Sequence, residues 1–360
     1  MGSIALLHPE TQCALKVQGP GSVVMAEGSP VPHPGHDELL VRVICVGINP
    51  FDWKSLDMSP SPGSTWGCDF SGEIIQLGDD VSSQRFHIGD RVAGISTGNN
   101  PENPMTGSFA EYAVVPHYMA LHIPPEMTYE EAATLPCGLI TVGMTLYHNL
   151  RLPLPYENGH AEHYVLVYGG GTATGGLAIQ ALRRSGLVPI TTCSPRNFER
   201  VKALGAAEAF DYHNPSCAGD IRALTRDTLE YALDCITDSA SMKICYGAIG
   251  SAGGRYVGLD AFPIRAHTRR EVRPDWILAW TVMGKPITWK KPYRRDAKPK
   301  DKRFGLQWAP IAQRWLDSGD VKVHPFEVST EGLAGVAGGA DRVRKGTAGG
   351  KKLVYRVVAE

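Results

Sequence analysis

Apolar residues in the first third of the chain form short runs separated by turn residues. Residues 39–48 are rich in β-branched side chains, and residues 72–77 and 91–95 are shorter runs bounded by glycine and aspartate. Such runs are typical of strands. The first helical signal is the pair Thr128 and Glu131, whose spacing matches a capping box. This part of the chain is therefore predicted to be rich in β-structure.

The middle of the chain alternates short apolar runs with helical stretches. The run at 164–168 is almost entirely apolar, as expected of a parallel strand buried on both faces. Further strands are predicted at 188–193, 209–212, 231–236 and 255–259. A helix is predicted over 174–185, and Ser194-Pro195 is a typical start for a second helix, which ends before Gly205. Alternating strands and helices predict an α/β, doubly wound parallel sheet.

The last hundred residues carry weaker patterns. Segment 285–303 is rich in proline, lysine and arginine and is predicted to be irregular surface chain. A helix is expected near 304–318, and a closing strand over 353–358.

Composition narrows the possible environments. The chain has 360 residues and a formal net charge of −1, so nothing overall attracts it to nucleic acid or membrane. It has no apolar run of about 18 residues, and residues 1–16 lack a signal-peptide pattern, so a cytoplasmic protein is expected. None of its 8 cysteines forms a Cys-x-x-Cys pair, which favours buried free thiols over disulfides or structural zinc.

A glycine-rich turn follows the strand at 164–168 and opens the next helix. In the strict Gly-x-Gly-x-x-Gly pattern the last glycine would stand at Thr174, but here it comes one residue later, at Gly175. The order strand, turn, helix and second strand nevertheless predicts a dinucleotide site, because a helix N-terminus offers free N–H groups to a pyrophosphate. The candidate contacts in the turn are Gly169, Gly171, Thr172, Ala173, Thr174 and Gly175.

The end of the second strand of this unit selects the cofactor. An NAD site usually has Asp or Glu here, whereas this chain has Ser194, Pro195, Arg196 and Asn197. A hydroxyl, a guanidinium and a helix start favour a 2′-phosphate, and Tyr212 can add a second hydroxyl. NADPH is therefore the predicted cofactor, although Arg196 as an ordinary surface cation is the competing interpretation.

Several motifs together resemble a known family. They are Asn49-Pro50-Phe51-Asp52-Trp53-Lys54, Gly67-Cys68-Asp69-Phe70-Ser71-Gly72, Gly89-Asp90-Arg91-Val92, Gly107-Ser108-Phe109-Ala110-Glu111-Tyr112 and the turn at Gly169. The chain resembles the quinone-reductase-like branch of the medium-chain dehydrogenase/reductase superfamily, and most closely the trans-acting enoyl reductases that serve fungal polyketide synthases. This resemblance implies a GroES-like, β-rich catalytic domain (1–148 and 285–360) with a Rossmann domain (149–284) inserted into it.

The resemblance also implies site residues. For the cofactor it adds Phe51, Asp52, Trp53, Lys54, Leu259, Asp260, Gly350 and Lys351 to the positions above. For the acyl chain it implies Gly138, Leu139, Ile140, Thr141, Val142, Gly143, Met144 and Thr145, and Thr281, Val282, Met283, Gly284 and Lys285. Zinc-dependent relatives carry Gly-His-Glu where this chain has Gly67-Cys68-Asp69, so no metal is expected.

The reaction expected from the resemblance is reduction of an enoyl thioester. Hydride goes to the β-carbon, the α-carbon is protonated, and backbone N–H groups near Gly138 to Thr141 are candidate donors to the enolate oxygen. Lys54 and Thr141 are the candidate polar groups of the active site, with a solvated loop lysine as the alternative for Lys54. The proton donor cannot be assigned from the sequence.

The expected partner is an acyl-carrier domain of a polyketide synthase, which can be fused to a peptide synthetase. Segment 285–303 holds nine Lys or Arg against two Asp, which makes it a candidate docking surface for an acidic carrier, with a solvated face as the alternative. For an oligomer, the candidate Rossmann edge strand is 255–259.

Three other functions use the same cofactor site and stay open at this point. One is a reductase of free enones or quinones, and a second is a redox-silent double-bond isomerase. The third is a nucleotide-binding scaffold subunit without turnover.

Overall fold

The computed structural model describes residues 8–156 and 163–357. The chain divides into two compact units, one made of Met1–Cys137 and Trp280–Glu360 and the other of Gly138–Ala279. The boundaries expected from the sequence, 148/149 and 284/285, lie later along the chain. The helix at Gly138 explains the first difference, because a Cβ atom on Gly138 would stand 2.6 Å from Leu177, deep in the second unit.

The strands, in chain order, are β1 (Thr11–Gly19), β2 (Ser22–Pro30), β3 (Glu38–Gly47), β4 (Asp69–Leu77), β5 (Arg91–Ile95), β6 (Tyr112–Pro116), β7 (Ala120–His122), β8 (Tyr164–Tyr168), β9 (Val188–Thr192), β10 (Glu208–Phe210), β11 (Tyr231–Asp234), β12 (Gly254–Gly258), β13 (Val272–Trp276), β14 (Phe326–Ser329) and β15 (Lys352–Arg356). The α-helices are α1 (Pro50–Met58), α2 (Tyr129–Ala132), α3 (Pro136–Val142), α4 (Ala173–Arg184), α5 (Phe198–Ala203), α6 (Cys217–Leu224), α7 (Ser239–Ala248), α8 (Pro299–Asp317) and α9 (Gly332–Arg344). A π-helical stretch, Gly143–Asn149, continues α3.

The first unit is built on a largely antiparallel sheet with strand order β14-β15-β3-β4-β5-β7, to which β6 adds by pairing with β3. The chain's last described strand, β15, lies beside β3, so the C-terminal segment completes the sheet begun by the N-terminal one. The predicted strands at 39–48, 72–77 and 91–95 are confirmed as β3, β4 and β5, and the capping box of Thr128 and Glu131 opens α2.

The second unit is a parallel sheet with helices between its strands. Its order is β10-β9-β8-β11-β12-β13, in which the chain reverses direction across the sheet between β8 and β11. This is the strand order of dinucleotide-binding Rossmann sheets, which bind ligands at the reversal point. Leu166, Ile190 and Ala232 on three adjacent strands form a core with Ile221 and Met242 of the covering helices. The predicted doubly wound sheet is therefore confirmed.

Several sequence expectations were wrong or incomplete. The strand at 255–259 is not the edge of the Rossmann sheet, because β13 pairs outside it. Pro274 and the charged residues Arg273 and Asp275 hid β13 from pattern analysis. Segment 285–303 is not entirely irregular, since α8 begins at Pro299. Residue 358, the end of the predicted last strand, lies outside the described residues.

Several other elements were not predicted from the hydrophobic pattern of the sequence. The hairpin of β1 and β2 was not predicted, and neither were α1 and α9. The short helix α1 has a weak apolar face, because its buried residues include Asp52 and Ser55 alongside Leu56. In the described part of the chain, no helix has the length and apolar character needed to cross a bilayer.

Candidate active site and nucleotide-binding turn

The glycine-rich turn joins β8 to α4 at the carboxyl edge of the Rossmann sheet. Gly169 has a φ of 86°, a conformation that favours glycine. Thr172 caps α4: its hydroxyl donates to the Gly169 carbonyl at 2.8 Å and accepts from the Gly175 N–H at 3.0 Å. The turn is thus held by its own hydrogen bonds, with the start of α4 directed to the position where an anion is expected.

The displaced glycine of the motif has a structural reason. A Cβ atom on Gly175 would lie 2.3 Å from the Gly169 carbonyl oxygen, so the third position of α4 must be glycine for the helix to pack on the turn. Thr174, where the strict pattern has glycine, is half-buried at the second helical position. The close approach of helix and turn is therefore kept, one residue later than in the standard motif.

The residues after β9 gather beside this turn. Ser194 precedes a single 3-10 turn, Pro195–Asn197, and its hydroxyl lies 3.2 Å from the Tyr212 hydroxyl. Arg196 is exposed, and the side chain of Asn197 lies 2.9 Å from the point where a Cβ on Gly171 would stand. The structure thus brings the Ser194 and Tyr212 hydroxyls together and places Asn197 beside the turn, although these groups are far apart in sequence.

This group of side chains fits a phosphorylated dinucleotide. Glycines admit a backbone approach, and α4 presents N–H groups at its start. Ser194 and Arg196 follow β9 and Tyr212 follows β10, with no carboxylate among Ser194, Pro195, Arg196 and Asn197. A 2′-phosphate is a good acceptor for such donors, whereas a free ribose would normally be bound by a carboxylate.

Arg200, which was not predicted from the sequence, also contacts the glycine-rich turn. Its guanidinium donates to the Gly171 carbonyl at 2.9 Å, and burial lowers its pKa. This bond fastens α5 to the turn. The sequence did carry a signal for this residue. Arg200 is a second cation four residues after Arg196, on a helix that starts at the same strand end.

A second loop at the strand-reversal point was also missed as part of the site. Ile236 lies 3.4 Å from the Cβ position of Gly169, and the side chain of Ile236 is 44% exposed. The loop is held by the buried Asp234, which accepts from the Ile236 N–H and the Thr237 N–H, both at 2.9 Å. Leu259 N–H donates to the Thr237 hydroxyl at 2.9 Å, so the predicted Leu259 and its neighbour Asp260 lie beside this loop.

In the first unit, the predicted residues Phe51 to Lys54 lie on α1. Its start is a capping box in which the Asn49 N–H donates to Asp52 at 2.7 Å. Phe51 packs against Trp280, with ring centroids 5.0 Å apart, and this contact places α1 beside the predicted acyl-chain segment that begins at Thr281.

Lys54 and Trp53 share a cationic environment. The Lys54 ammonium lies 6.0 Å from the centre of the Trp53 ring, and the Arg344 guanidinium of α9 lies 5.7 Å from the same ring. Arg344 also pairs with Asp57 at 2.9 Å. Lys54 is half-buried and belongs to a packed helix, so it is not a solvated loop lysine.

Asp52 is a buried carboxyl rather than an accessible polar group. Only 1% of it is exposed, and burial raises its pKa to about 7, against the opposing effect of hydrogen bonds from Cys68 and the Asn49 N–H. Its backbone carbonyl accepts from the Trp66 indole at 2.8 Å. These contacts give Asp52 a role in holding α1, which does not require contact with a cofactor.

Cys68 stands where zinc-dependent relatives have a histidine ligand. Burial raises the pKa of its thiol well above the usual range, whereas zinc binds the thiolate. Within residues 8–156 and 163–357, no group of three His, Cys, Asp or Glu side chains is arranged to hold a metal ion. Metal-independent chemistry remains a prediction.

A buried ionic cluster lies at the start of α1 and was not predicted. The Lys352 ammonium donates to Asp69 at 2.7 Å and to the Asn49 side-chain oxygen at 2.6 Å. The Asn49 amide donates to the same Asp69 oxygen at 2.8 Å, and the other Asp69 oxygen accepts from the Cys137 N–H at 2.7 Å. In the sequence, Asp69 belongs to a motif that lacks the zinc ligands of zinc-dependent relatives. Its hydrogen-bond partners are far away in the chain and could not be predicted from this motif.

The candidate substrate residues Gly138, Leu139, Ile140, Thr141, Val142, Gly143, Met144 and Thr145 are all buried. The Thr145 hydroxyl donates to the Thr141 carbonyl at 2.8 Å, so it is used within the helix. In an α-helix starting at Pro136, the N–H groups of Ile140 and Thr141 point to carbonyls four residues earlier. Gly138, in the first turn, is therefore a better candidate oxyanion donor than Ile140 or Thr141.

In the second candidate substrate segment, residues 281–285, the polar side chains contact other parts of the protein. Thr281, Val282 and Met283 are buried, and the Thr281 hydroxyl donates to the buried Asp301 of α8 at 2.5 Å. Gly284 is half-buried, and Lys285 is exposed and lies 3.7 Å from Glu38. This segment offers an acyl chain an apolar surface at most.

The glycine-rich loop before β15 carries the last predicted cofactor residues. Gly350 has a φ of 74°, and its carbonyl lies 2.7 Å from the ring nitrogen Nε2 of His324. Lys351 is exposed, and its N–H donates to the Ala348 carbonyl at 3.1 Å.

The basic segment 285–303 is ordered and packs on α1. Ile287 and Arg295 exchange backbone hydrogen bonds, which closes a small hairpin. The buried Trp289 donates its indole N–H to the Asn99 carbonyl at 2.8 Å and packs on Phe51. Charged side chains remain exposed at and beyond the tip: Lys290, Lys291, Arg294, Lys300 and Arg303.

Comparison with known proteins places these features in a family. The sequence pattern of the alcohol dehydrogenase GroES-like domain matches residues 35–125. The trans-enoyl reductase opdC of Penicillium oxalicum is 51% identical over 358 residues, covering 97% of this chain and 98% of that protein. The trans-enoyl reductase apdC of Emericella nidulans is 47% identical over 355 residues, covering 98% of this chain and 100% of that protein. The crystal structure of CurK enoyl reductase matches with a TM-score of 0.74 at 17% identity, over 96% of this chain and 99% of that one, which is a likeness of fold.

Proposed function

This chain belongs to the trans-enoyl reductases, oxidoreductases of the medium-chain dehydrogenase/reductase superfamily, and we propose that it uses NADPH to reduce the α,β-double bond of a polyketide acyl thioester held on a separate carrier domain. The observation that carries the cofactor part is the group formed by the Gly169 turn, Ser194, Tyr212 and Arg196. The thioester and the carrier follow from the family.

In this proposal, the second unit binds the cofactor. The turn from Gly169 to Gly175 holds the pyrophosphate, and Ser194, Arg196 and Tyr212 hold the 2′-phosphate. The support is the hydroxyl pair at 3.2 Å, the free start of α4 and the absence of a carboxylate from residues 194–197. When bound, NADPH supplies a hydride to the β-carbon of the substrate.

The chain's own contribution is orientation and electrostatics. Reacting atoms must be held at about 3–3.5 Å, which rigid elements do better than loops. For the enolate oxygen we propose the first-turn N–H of Gly138, and for the first unit we propose Lys54 as the polar group that contacts substrate, cofactor or a proton-relay water. The support for Lys54 is its half-buried position on α1, with its ammonium 6.0 Å from the centre of the Trp53 ring.

For the partner we propose that an acidic acyl-carrier domain docks on the basic hairpin 287–295. Lys290, Lys291 and Arg294 are exposed there and form no ion pair with other described residues. Lys285 and Lys302, by contrast, lie near Glu38 and Asp37, which offset their charge. Exposed, uncompensated cations on an anchored loop suit docking of an acidic domain.

An assay with two readouts tests the chemistry. The purified protein is mixed with NADPH and a short enoyl pantetheine thioester, and both the loss of nicotinamide absorbance and the product mass are measured. We expect equal consumption of NADPH and gain of two mass units in the product, since one hydride and one proton are added.

The competing functions give different results in the same assay. A changed product without NADPH loss identifies a double-bond isomerase, and NADPH binding without any product identifies a scaffold subunit. Faster turnover of a free enone or quinone than of the thioester identifies a small-molecule reductase. Each of these results rejects the proposed reaction.

A further inference from the structure

The start of α1 is tied to two distant parts of the first unit by buried polar side chains. Asn49, at the N-cap of α1, contacts Asp69 at the start of β4 and Lys352 at the start of β15. The three side chains form a closed triangle, because Lys352 also donates to Asp69 at 2.7 Å. We call these three residues the buried clamp.

Burying the charged and polar side chains of the clamp costs free energy unless each of them is paired. The side chains of Asp69 and Lys352 are 0% and 5% exposed, so both charges have lost nearly all their water. Replacing a buried ion pair by apolar residues is often neutral or stabilising, so such a pair is weak support for a role in stability alone. Its better-attested use is to select one arrangement of the surrounding chain.

The arrangement selected here is that of α1. The helix is 9 residues long and is too short to be stable by itself, and its buried positions include the polar residues Asp52 and Ser55. Apolar packing of α1 rests on few side chains, mainly Phe51 and Leu56, whereas the hydrogen bonds of Asn49 fix the position of the start of the helix. The second oxygen of the Asp69 carboxylate accepts from the Cys137 N–H at 2.7 Å, so both oxygens are paired.

We propose that the buried clamp of Asn49, Asp69 and Lys352 is a positioning device that holds α1, and with it Lys54, in the geometry required for enoyl reduction. The clamp touches no reacting atom and acts only through the helix. This inference rests on the proposed function for its effect on turnover, but its effect on α1 can be measured separately.

Asn49→Ser is the most selective variant. Serine keeps the ability to cap α1 but is too short to reach Asp69 and Lys352, and the Asp69–Lys352 ion pair stays intact. Arg356→Met is the matched control, because Arg356 is on the same strand as Lys352 and pairs with Glu130 of α2.

Amide hydrogen exchange over residues 50–58 and steady-state kinetics on the enoyl thioester are measured for both variants. We expect Asn49→Ser to exchange faster over α1 and to lower kcat by about ten- to a hundredfold. Arg356→Met is expected to change neither quantity. Unchanged exchange in Asn49→Ser, or faster exchange with wild-type kcat, would overturn the proposal.

A double-mutant cycle with Lys54→Ala tests whether the clamp acts through Lys54. If it does, Asn49→Ser causes no further loss of kcat once Lys54 is replaced. Losses that multiply would show that the clamp does not act through Lys54. If the wild-type protein does not reduce the thioester, the proposed function fails, and the exchange data still decide whether the clamp orders α1.

Discussion

At the scale of single residues, charge and desolvation distinguish functional groups from structural ones. Arg196 is an exposed residue two positions after Ser194, whose hydroxyl lies near that of Tyr212, whereas Asp52 is a buried carboxyl that accepts a hydrogen bond at the start of α1. The sequence placed both among candidate cofactor contacts. In the structure Arg196 is exposed and Asp52 is buried, so the two residues have different expected roles. Each role gives a measurable prediction.

Replacing Arg196 by alanine should weaken binding of NADPH but leave NADH binding unchanged. The two cofactors differ only in the 2′-phosphate, so they form an internal control within one variant. A charge-assisted hydrogen bond to phosphate at an exposed site is worth about 1–2 kcal/mol, which predicts a roughly tenfold higher dissociation constant. Fluorescence titration of both cofactors measures it. Equal weakening of NADH would show that Arg196 does not contact the phosphate.

Asp52 should make the protein less stable as the pH rises. Its pKa is raised to about 7 in the folded state, above its ordinary value near 4, so the folded form binds the extra proton between these values. The stabilisation is complete below about pH 4 and is lost as the pH rises through about 7, by on the order of 2–4 kcal/mol.

Asp52→Asn removes this titration while its amide oxygen still accepts from the Asn49 N–H. Denaturant unfolding of both proteins between pH 5 and 8 is the measurement. The decrease in stability with pH should be smaller in the variant. The exposed Asp296→Asn serves as control and should leave the pH profile unchanged. Parallel profiles for wild type and Asp52→Asn would contradict the prediction.

At the scale of elements, a threonine at a helix N-cap serves two different purposes in this protein. Thr128 caps α2 by accepting from the Glu131 N–H, and Thr172 caps α4 by accepting from the Gly175 N–H. Of these two helices, only α4 has its start at the carboxyl edge of the Rossmann sheet. A cap that stabilises one helix can therefore shape a binding site in another.

The two threonines form a matched pair for mutation. Thr172→Ala and Thr128→Ala should each lower the free energy of unfolding by about 1 kcal/mol, since each removes a side-chain cap. Only Thr172→Ala should also weaken the binding of NADPH, because the hydrogen bonds of the Thr172 hydroxyl hold the glycine-rich turn. Thermal unfolding and cofactor titration measure the two effects. Equal cofactor affinity in both variants would exclude a role of the cap in binding.

At the scale of the whole molecule, local charge matters more than net charge. The formal net charge is −1, yet the hairpin 287–295 exposes Lys290, Lys291 and Arg294 without ion-pair partners among the described residues. Surface electrostatics of this kind affects encounter with a charged partner and is screened by salt.

Docking on this hairpin predicts a difference between tethered and free substrates. The triple variant Lys290→Glu, Lys291→Glu and Arg294→Glu should raise KM for a carrier-bound enoyl chain at low salt, about tenfold or more, and leave KM for the pantetheine thioester unchanged. The wild-type advantage on the carrier-bound chain should also shrink as ionic strength rises.

An equal change of charge in the Rossmann unit controls for net charge. Lys243→Glu, Arg270→Glu and Arg273→Glu alter exposed cations at other sites and should leave both KM values unchanged. If the hairpin variant retains wild-type KM for the carrier-bound chain, docking at this surface is wrong.

Some features of the protein were determined by local sequence alone. The Rossmann strands β8 to β12, the capping box of Thr128 and the turn at Gly169 could be predicted, because hydrophobic period, capping and glycine turns depend on residues close together in the chain. The short helix α1 and the edge strand β13 could not, since tertiary contacts stabilise them against weak local patterns.

Only the tertiary structure decided which distant residues meet. Asn49, Asp69 and Lys352 are separated by up to 303 positions, and Ser194 reaches Tyr212 across a strand and a helix. Each residue alone is ordinary in the sequence. A charge or hydroxyl becomes functional through the burial and the partners that folding provides, and neither is encoded in its immediate neighbours.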